Sequence, residues 1–306
     1  MSTAVLIVNY HAYRDLDLAL ASLEAHLSDG DEIVIVDYES DARALDYVLG
    51  RHPQARALRR SDNLGFSAGI NLAARSTTAP YCLWLNPDAL LEGPVVRVLE
   101  DWLNTHPRAG VAGPRVLNTD GTVQPSARHF PGPTTVFGGR STWLTQHFPN
   151  NWMSRRNLIG RDASAPVDVD WLAGACLMTR REVFDRAGGL DESFFMYWED
   201  ADYCHRVAGL GFTSTYVPTV AVRHSGGASS SIDLPRAIRA FHASAFHLYW
   251  KHYGPIGRLA APLVWAGLRL RGELRVWQAE REQRLKGERP SASRAAAIRP
   301  DESSRR

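Results

Sequence analysis

Five carboxylates and one histidine carry most of the chemical content of this 306-residue sequence. Asp37 closes the apolar run Ile33–Val36, and Asp88 follows the apolar run Tyr81–Leu85 across Asn86-Pro87. Glu199, Asp200 and Asp202 crowd together behind the aromatic stretch Phe194-Phe-Met-Tyr-Trp198, and His224 ends a further apolar segment. Proline lacks a ladder donor and disfavours helix at the residue before it, so the strand stops at Leu85 and Asp88 sits at its carboxyl end. In open α/β sheets ligands bind outside those ends, where an acid can hold a cation against a phosphate. Asn-Pro-Asp alone is equally a plain turn, and Glu-Asp-Ala-Asp alone is equally the cap of a solvent-facing helix. Two acids in equivalent places, Asp37 and Asp88, favour a site.

The elements that position these groups follow from hydrophobic periodicity. Ala4–Val8, Glu32–Val36, Ala55–Arg59 and Tyr81–Leu85 read as strands, the first, second and fourth apolar enough to be buried on both faces. Between them, Tyr13–Leu27, Asp41–Leu49 and Ser67–Arg75 read as helices. Strand and helix alternating in this way predict an α/β fold with a doubly wound, mostly parallel sheet. The loop Ser61–Gly65 opens a helix of small residues, where backbone can approach a ligand closely.

Composition narrows the class. With 44% hydrophobic and 22% charged residues the chain is an ordinary globular one, and a net charge of +2 gives no case for a nucleic-acid partner. Cys82, Cys176 and Cys204 stand far apart, which argues against a zinc site or a disulfide framework and for a reducing, cytoplasmic compartment. The N-terminus runs from Val5-Leu-Ile-Val8 straight into Asn9-Tyr10-His11 without a basic leader, so no signal peptide is expected. No apolar run reaches the roughly 18 residues of a membrane span.

The ordered motifs Val8-Asn9-Tyr10, Val36-Asp37, Asn63-Leu-Gly65-Phe-Ser-Ala-Gly-Ile-Asn71, Leu85-Asn86-Pro-Asp88 and Trp198-Glu199-Asp200-Ala-Asp202 resemble family 2 glycosyltransferases of GT-A fold, especially the rhamnosyltransferase-like branch. The resemblance covers roughly residues 3–230. It implies an inverting enzyme with a nucleotide-diphosphate sugar donor, best matched to dTDP-L-rhamnose, and a glycan or polyprenyl-linked glycan acceptor in cell-envelope synthesis. It implies donor contacts from Asn9, Tyr10, Asp37, Asn63, Gly65, Asn71, Asn86, Asp88 and Gly174, with Asp37 at the nucleobase. Asp200 would be the base, and Trp198, Glu199 and Asp202 would lie on the acceptor side. Mg2+ or Mn2+ would be held by Asp88, with His224 beside it. Two departures stand out: the metal motif keeps only its last acid, and Asp37-Tyr-Glu-Ser40 replaces the usual Asp-Asn-x-Ser.

Other readings keep a UDP-linked hexose or galactofuranose donor, a nucleotidyltransferase, or a non-catalytic nucleotide-sugar or glycan binder. A nucleotidyltransferase ordinarily carries a basic Gly-rich loop after the first strand, and Asn9-Tyr-His-Ala-Tyr-Arg14 is not one.

Later segments complete the expected layout. Residues 1–117 form a nucleotide-sugar half and 118–230 an acceptor half. The latter includes a Pro- and Gly-rich loop over 126–165, whose Arg128, His129, Arg155 and Arg156 could reach a diphosphate. The backbone at Gly226 and Gly227 and Ser229 could donate to phosphate oxygens. Residues 231–286 read as a helical extension with aromatic and Arg residues, suited to an anionic membrane edge or to packing on the domain or a dimer. Residues 287–306, rich in Pro, Ser, Ala and Arg, read as a disordered tail.

Overall fold

The computed structural model describes residues 2–130, 163–226 and 233–285. Most of the 126–165 loop, with Arg155 and Arg156, lies outside these, as do Gly227, Ser229 and the 287–306 tail. The chain divides into two compact units at Gly226.

The first unit begins as the sequence predicts: β1 (Thr3–Tyr10), α1 (Tyr13–Glu24), β2 (Glu32–Tyr38), α2 (Ala42–Arg51), β3 (Ala55–Arg60), α3 (Phe66–Arg75) and β4 (Tyr81–Leu85). Asp41 is the cap of α2, its carboxylate accepting from the amides of Arg43 and Ala44, each at 3.1 Å, so the helix starts one residue later than predicted. Then come β5 (Ala89–Glu92), α4 (Val95–Thr105), β6 (Ala109–Leu117), β7 (Ala127–Arg128), β8 (Val167–Val169), β9 (Trp171–Leu172) and β10 (Cys176–Arg180). The unit closes with α5 (Arg181–Arg186), α6 (Glu199–Gly209) and β11 (Thr213–His224).

The main sheet runs β3-β2-β1-β4-β10-β6-β11-β5, with β8 also on β11. Strands β3, β2, β1 and β4 are parallel, so the order reverses at β1 and the carboxyl ends of β1 and β4 flank a crevice. Antiparallel β10 sits between β4 and β6, with Cys176 opposite Leu85 and Met178 opposite Ala112. Two features depart from the predicted layout. The segment 168–179, which the sequence suggests is one strand broken at Gly174, is three short strands, β8 on β11, β9 on β7 and β10 between β4 and β6, interrupted at 173–175. The tetrapeptide Ala89–Glu92 is a strand because β11 offers it antiparallel pairing, His224 lying opposite Ala89. Four residues directly after a turn carry no alternation from which to predict it.

One face of the sheet packs Val5, Ile7, Leu83 and Met178 against Leu16, Leu20, Val96, Leu99 and Leu103. On the other, the Trp84 ring meets Tyr203 at 5.0 Å and Phe184 at 6.3 Å in edge-on contacts. All three cysteines are buried and free, and burial pushes the Cys82 thiol up to about 12, so they act as packing groups.

The second unit contains α7 (Leu234–His252), a single turn α8 (Pro255–Arg258) and α9 (Ala261–Leu285). Asp233 caps α7 on the Arg236 amide at 3.1 Å. Helix α9 packs on α7 at Gly272, where an added Cβ would stand 3.3 Å from the His242 ring. No helix of the described residues is long and apolar enough to cross a membrane.

Gly65 needs to be glycine for two reasons: φ is +92°, and an added Cβ would lie 2.2 Å from the Phe195 carbonyl oxygen. Gly50, inside α2, has nothing within 4 Å of its added Cβ. In denaturant unfolding Gly65→Ala is expected to lose about 1–3 kcal/mol from backbone strain alone, whereas Gly50→Ala gains up to about 1 kcal/mol from helix propensity.

Candidate active site

The carboxyl ends of β1, β2 and β4, the 173–175 break and the end of β11 bring the sequence-predicted residues to one edge of the sheet. Asp37 lies beneath this edge. It is 0% exposed, one oxygen accepting from Asn9 Nδ2 at 2.6 Å and the other from the Tyr13 hydroxyl at 3.1 Å. Tyr13 in turn accepts from the Asp41 amide at 2.8 Å, and Asn9 Oδ1 from the Ala12 amide at 3.2 Å. The carboxylate therefore ties β1, α1, β2 and α2 together from below. Above it Tyr10 donates to Glu39 at 3.2 Å, and Glu39 and His11 both hold positive φ, 50° and 53°. Non-glycine residues in that conformation cluster at functional sites.

The loop Asn63–Gly65 folds on itself, Asn63 Oδ1 accepting from the Gly65 amide at 3.0 Å, and docks through Phe66 N–H on the Phe195 carbonyl at 2.7 Å. Asn71 faces away from open space. Its carboxamide accepts from Leu190 N and donates to Leu190 O, each at 2.8 Å, and donates to Glu192 at 2.9 Å. It clamps the segment leading to α6 onto α3. Just before α6, Tyr197 and Trp198 are both left-handed, with φ of 70° and 69°, and this double bend starts the helix at Glu199.

Asp200 heads α6. Its Oδ2 accepts from the Gly174 amide at 2.8 Å and Oδ1 from the Ala201 amide at 2.7 Å. Desolvation raises its pKa above the ordinary carboxylate range, with the two amides and the charge of Arg128 opposing. Glu199 is raised well above that range by burial and by the Asp200 charge, and its Oε2 has no hydrogen-bond partner. Asp202 turns inward: residues two apart on a helix point some 200° apart. It is 0% exposed and accepts from Arg206 Nε at 2.8 Å. Burial thus takes Glu199 and Asp202 off the open acceptor side where the sequence suggested they would lie. Trp198 remains half-buried, its ring 5.9 Å from Trp171, over which Arg128 stacks at 5.0 Å.

Asp88 and His224 meet across 136 residues of sequence. Asp88 Oδ1 lies 3.2 Å from His224 Nε2, and Oδ2 accepts from Ser225 Oγ at 3.1 Å. Asn86 Nδ2 stands 3.2 Å from the same Nε2. Desolvation and then the Asp88 charge raise the pKa of Asp15. Among the described residues no three His, Cys, Asp or Glu side chains form a closed metal cage. The Asp88 carboxylate fits a hard cation completed by phosphate oxygens and water, the usual way Mg2+ is bound in phosphate sites, and the His224 imidazole adds a softer nitrogen ligand beside it. Sequence reading missed Tyr13, Gln124 and Trp171, whose roles come from contacts across the fold rather than from any local pattern.

The profile of glycosyl transferase family 2 matches residues 4–188. The chain belongs to that family. An N-acetylglucosaminyl-diphospho-decaprenol L-rhamnosyltransferase of Mycobacterium tuberculosis is 30% identical over 294 residues, 92% of this chain and 94% of that protein. Among solved structures, the mannosyltransferase PcManGT of Pyrobaculum calidifontis, in complex with GDP-Man and Mn2+, aligns at TM-score 0.54 and 16% identity. That alignment covers 95% of this chain and 77% of that one. GalNAc-T7 with UDP, GalNAc and Mn2+ aligns at 0.58 and 14%, over 87% and 51%. The GT-A fold and the glycosyltransferase activity implied by the motifs are those of this chain.

Asn71→Leu leaves the N–H and C=O of Leu190 unpaired. We expect a stability loss of about 1–3 kcal/mol per unpaired group, read from the denaturant midpoint. Asn63→Ala removes a local turn bond only and is expected to lose about 1 kcal/mol or less.

Proposed function

We propose that this glycosyltransferase moves L-rhamnose, with inversion, from dTDP-L-rhamnose to an N-acetylglucosaminyl-diphospho-polyprenol acceptor. Asp200 is the observation that carries the inverting reading: a carboxylate oriented by two backbone amides at the cleft edge, with its pKa held up by burial. The mycobacterial relative, matching nearly end to end, supports the donor and the lipid-linked acceptor.

In this reading the acceptor hydroxyl oxygen attacks the anomeric carbon from the face opposite the diphosphate. Its proton passes to Asp200, and the bond between that carbon and the diphosphate oxygen breaks. Asp88 and His224 are the residues that would hold Mg2+ or Mn2+. Such a cation neutralises charge on the departing nucleoside diphosphate. Asp37, beneath the surface, positions Asn9 and the strand ends that frame the nucleobase. Tyr10, Asn63, Gly65 and Asn86 line or shape the donor side, Gly174 orients the base, and Trp198 faces the acceptor. Asn71 and Asp202 act from below by fixing α3 and α6.

A raised folded-state pKa means that Asp200 is deprotonated only above it, so activity falls as pH drops through that value. The acid limb of kcat/KM should accordingly lie above the ordinary carboxylate range. Asp200→Asn should lower kcat by about 10²–10⁴-fold and leave dTDP binding intact. Full activity in that variant would remove Asp200 from the mechanism, and turnover with UDP-sugars in place of dTDP-L-rhamnose would overturn the donor.

We also propose that the second unit meets the cytoplasmic face of the membrane carrying the acceptor. Helical spacing puts Leu263, Leu270, Leu274 and Trp277 opposite the Gly272 and Val276 side that packs on α7. They are 79%, 64%, 52% and 56% exposed. Arg269, Arg271 and Arg275 flank this stripe, a pattern that suits an anionic headgroup layer. Co-sedimentation with phosphatidylglycerol vesicles should weaken with salt and be lost in the double variant Leu270→Glu, Leu274→Glu. Binding unchanged in that variant would locate the contact elsewhere.

A further inference from the structure

The turn 118–122 directly after β6, closed by an antiparallel bridge between Leu117 and Val123, carries a hydrogen-bond relay that neither the donor contacts nor the base requires. Asp120 Oδ1 is the fixed end, since an ionised carboxylate can only accept. It accepts from Thr122 Oγ1 at 2.6 Å, which uses the only proton of that hydroxyl. Thr122 Oγ1 therefore accepts from Asn118 Nδ2 at 2.9 Å, and Asn118 Oδ1 accepts from Gln124 Nε2 at 3.1 Å. The orientation of each carboxamide is thereby determined in turn. Gln124 must present Oε1 to His224, whose Nδ1 lies 2.9 Å away, so Nδ1 carries the hydrogen.

The consequence falls on the other ring nitrogen. With the hydrogen on Nδ1, Nε2 of the neutral ring is bare, in keeping with Asn86 Nδ2 donating toward it at 3.2 Å. Asp88 Oδ1 lies 3.2 Å from the same Nε2, close enough for one cation to take the carboxylate and the imidazole together in place of the Asn86 contact. The backbone holds the relay in place: Gln124 N–H donates to Val116 O at 2.8 Å, and Asn118 N–H to Thr122 O at 2.8 Å. Arg223, next to His224 in sequence, donates to Thr119 O at 3.0 Å and pins the turn from the other side.

We infer that Gln124 is a positioning residue for cation capture, fixing the His224 tautomer that offers Nε2 beside Asp88. The inference rests on the cation reading of Asp88 and His224. A histidine that ligates through one nitrogen commonly donates from the other to a fixed acceptor, which sets its tautomer and ring angle. Gln124 supplies that acceptor, and the turn 118–122 prevents the carboxamide from flipping.

The test uses the full chain, 15N-labelled, with Mn2+ alone and with Mn2+ plus dTDP as probes. Long-range 1H–15N spectra of the metal-free protein should show His224 protonated at Nδ1 and bare at Nε2, the resonances being assigned by their loss in His224→Gln. Gln124→Leu removes the acceptor. The tautomer should then become mixed, and Mn2+ affinity, read from the EPR signal of free Mn2+, should weaken about 10- to 100-fold. Gln124→Glu keeps an acceptor for Nδ1 and should restore both readouts, which a packing role alone would not predict. Unchanged tautomer and unchanged Mn2+ affinity in Gln124→Leu overturn the role of Gln124. If the wild-type chain binds no Mn2+ with or without dTDP, the cation reading fails and the inference with it.

Discussion

Antiparallel β10, hydrogen-bonded between β4 and β6, is the constraint on which the rest of the site depends. Because it runs against its neighbours, the residues that precede it arrive at the carboxyl end of β4, where the parallel half of the sheet opens its crevice. Asn86 N–H bonds to the Ala175 carbonyl at 3.0 Å there, so the Asn-Pro-Asp turn and the 173–175 break are fixed to each other. The Gly174 amide then points at Asp200, and the proposed base is anchored to the strand that carries the proposed cation ligand. An added Cβ on Gly174 would lie in ordinary contact with the Asp200 Cβ, at 3.5 Å, so backbone and carboxylate meet here at van der Waals distance.

A second layer of the design lies beneath the surface. Asp37, Asn71 and Asp202 are buried acids or amides whose polar atoms are engaged by neighbouring elements. An unpaired buried polar group costs about 1–3 kcal/mol, and a buried charge more, so such groups survive only where their partners are fixed. Each one here fixes a segment that bears on the site: Asp37 the ends of β1 and β2, Asn71 the approach to α6, and Asp202, through Arg206, the turn at Ala187 and Gly189. A motif can thus recur in sequence because it builds the cleft and not because it touches the ligand.

That distinction explains what the sequence could and could not disclose. Apolar runs bounded by Asn9, Asp37 and Asn86-Pro87 gave the parallel half of the sheet nearly to the residue, since buried strands and Pro-terminated ends are local properties. The family motifs gave the edge where the carboxylates gather. Periodicity does not reveal which way a side chain turns once long-range partners compete for it. Asp202 shares a tetrapeptide with Asp200, yet Arg206 draws it inward while Gly174 and Ala201 hold Asp200 at the cleft. Gln124 gave no signal at all, because its only distinction is a partner 100 residues away. Strand β5 was hidden for the same reason, its pairing with β11 being entirely non-local.

The Glu199-Asp200 pair shows how burial and hydrogen bonding divide two adjacent acids. Both are desolvated, which favours the neutral form of each. Asp200 has two backbone N–H donors and the charge of Arg128 to offset this, and both favour its anion. Glu199 has an unpartnered Oε2 and the Asp200 charge beside it, and both favour its neutral acid. The environments therefore push the two groups apart, the pattern that separates acid from base when carboxyls are neighbours. The two amides on Asp200 and the unpartnered oxygen of Glu199 favour the anion on Asp200. Its pKa nevertheless remains above that of a free carboxylate, which strengthens it as a proton acceptor.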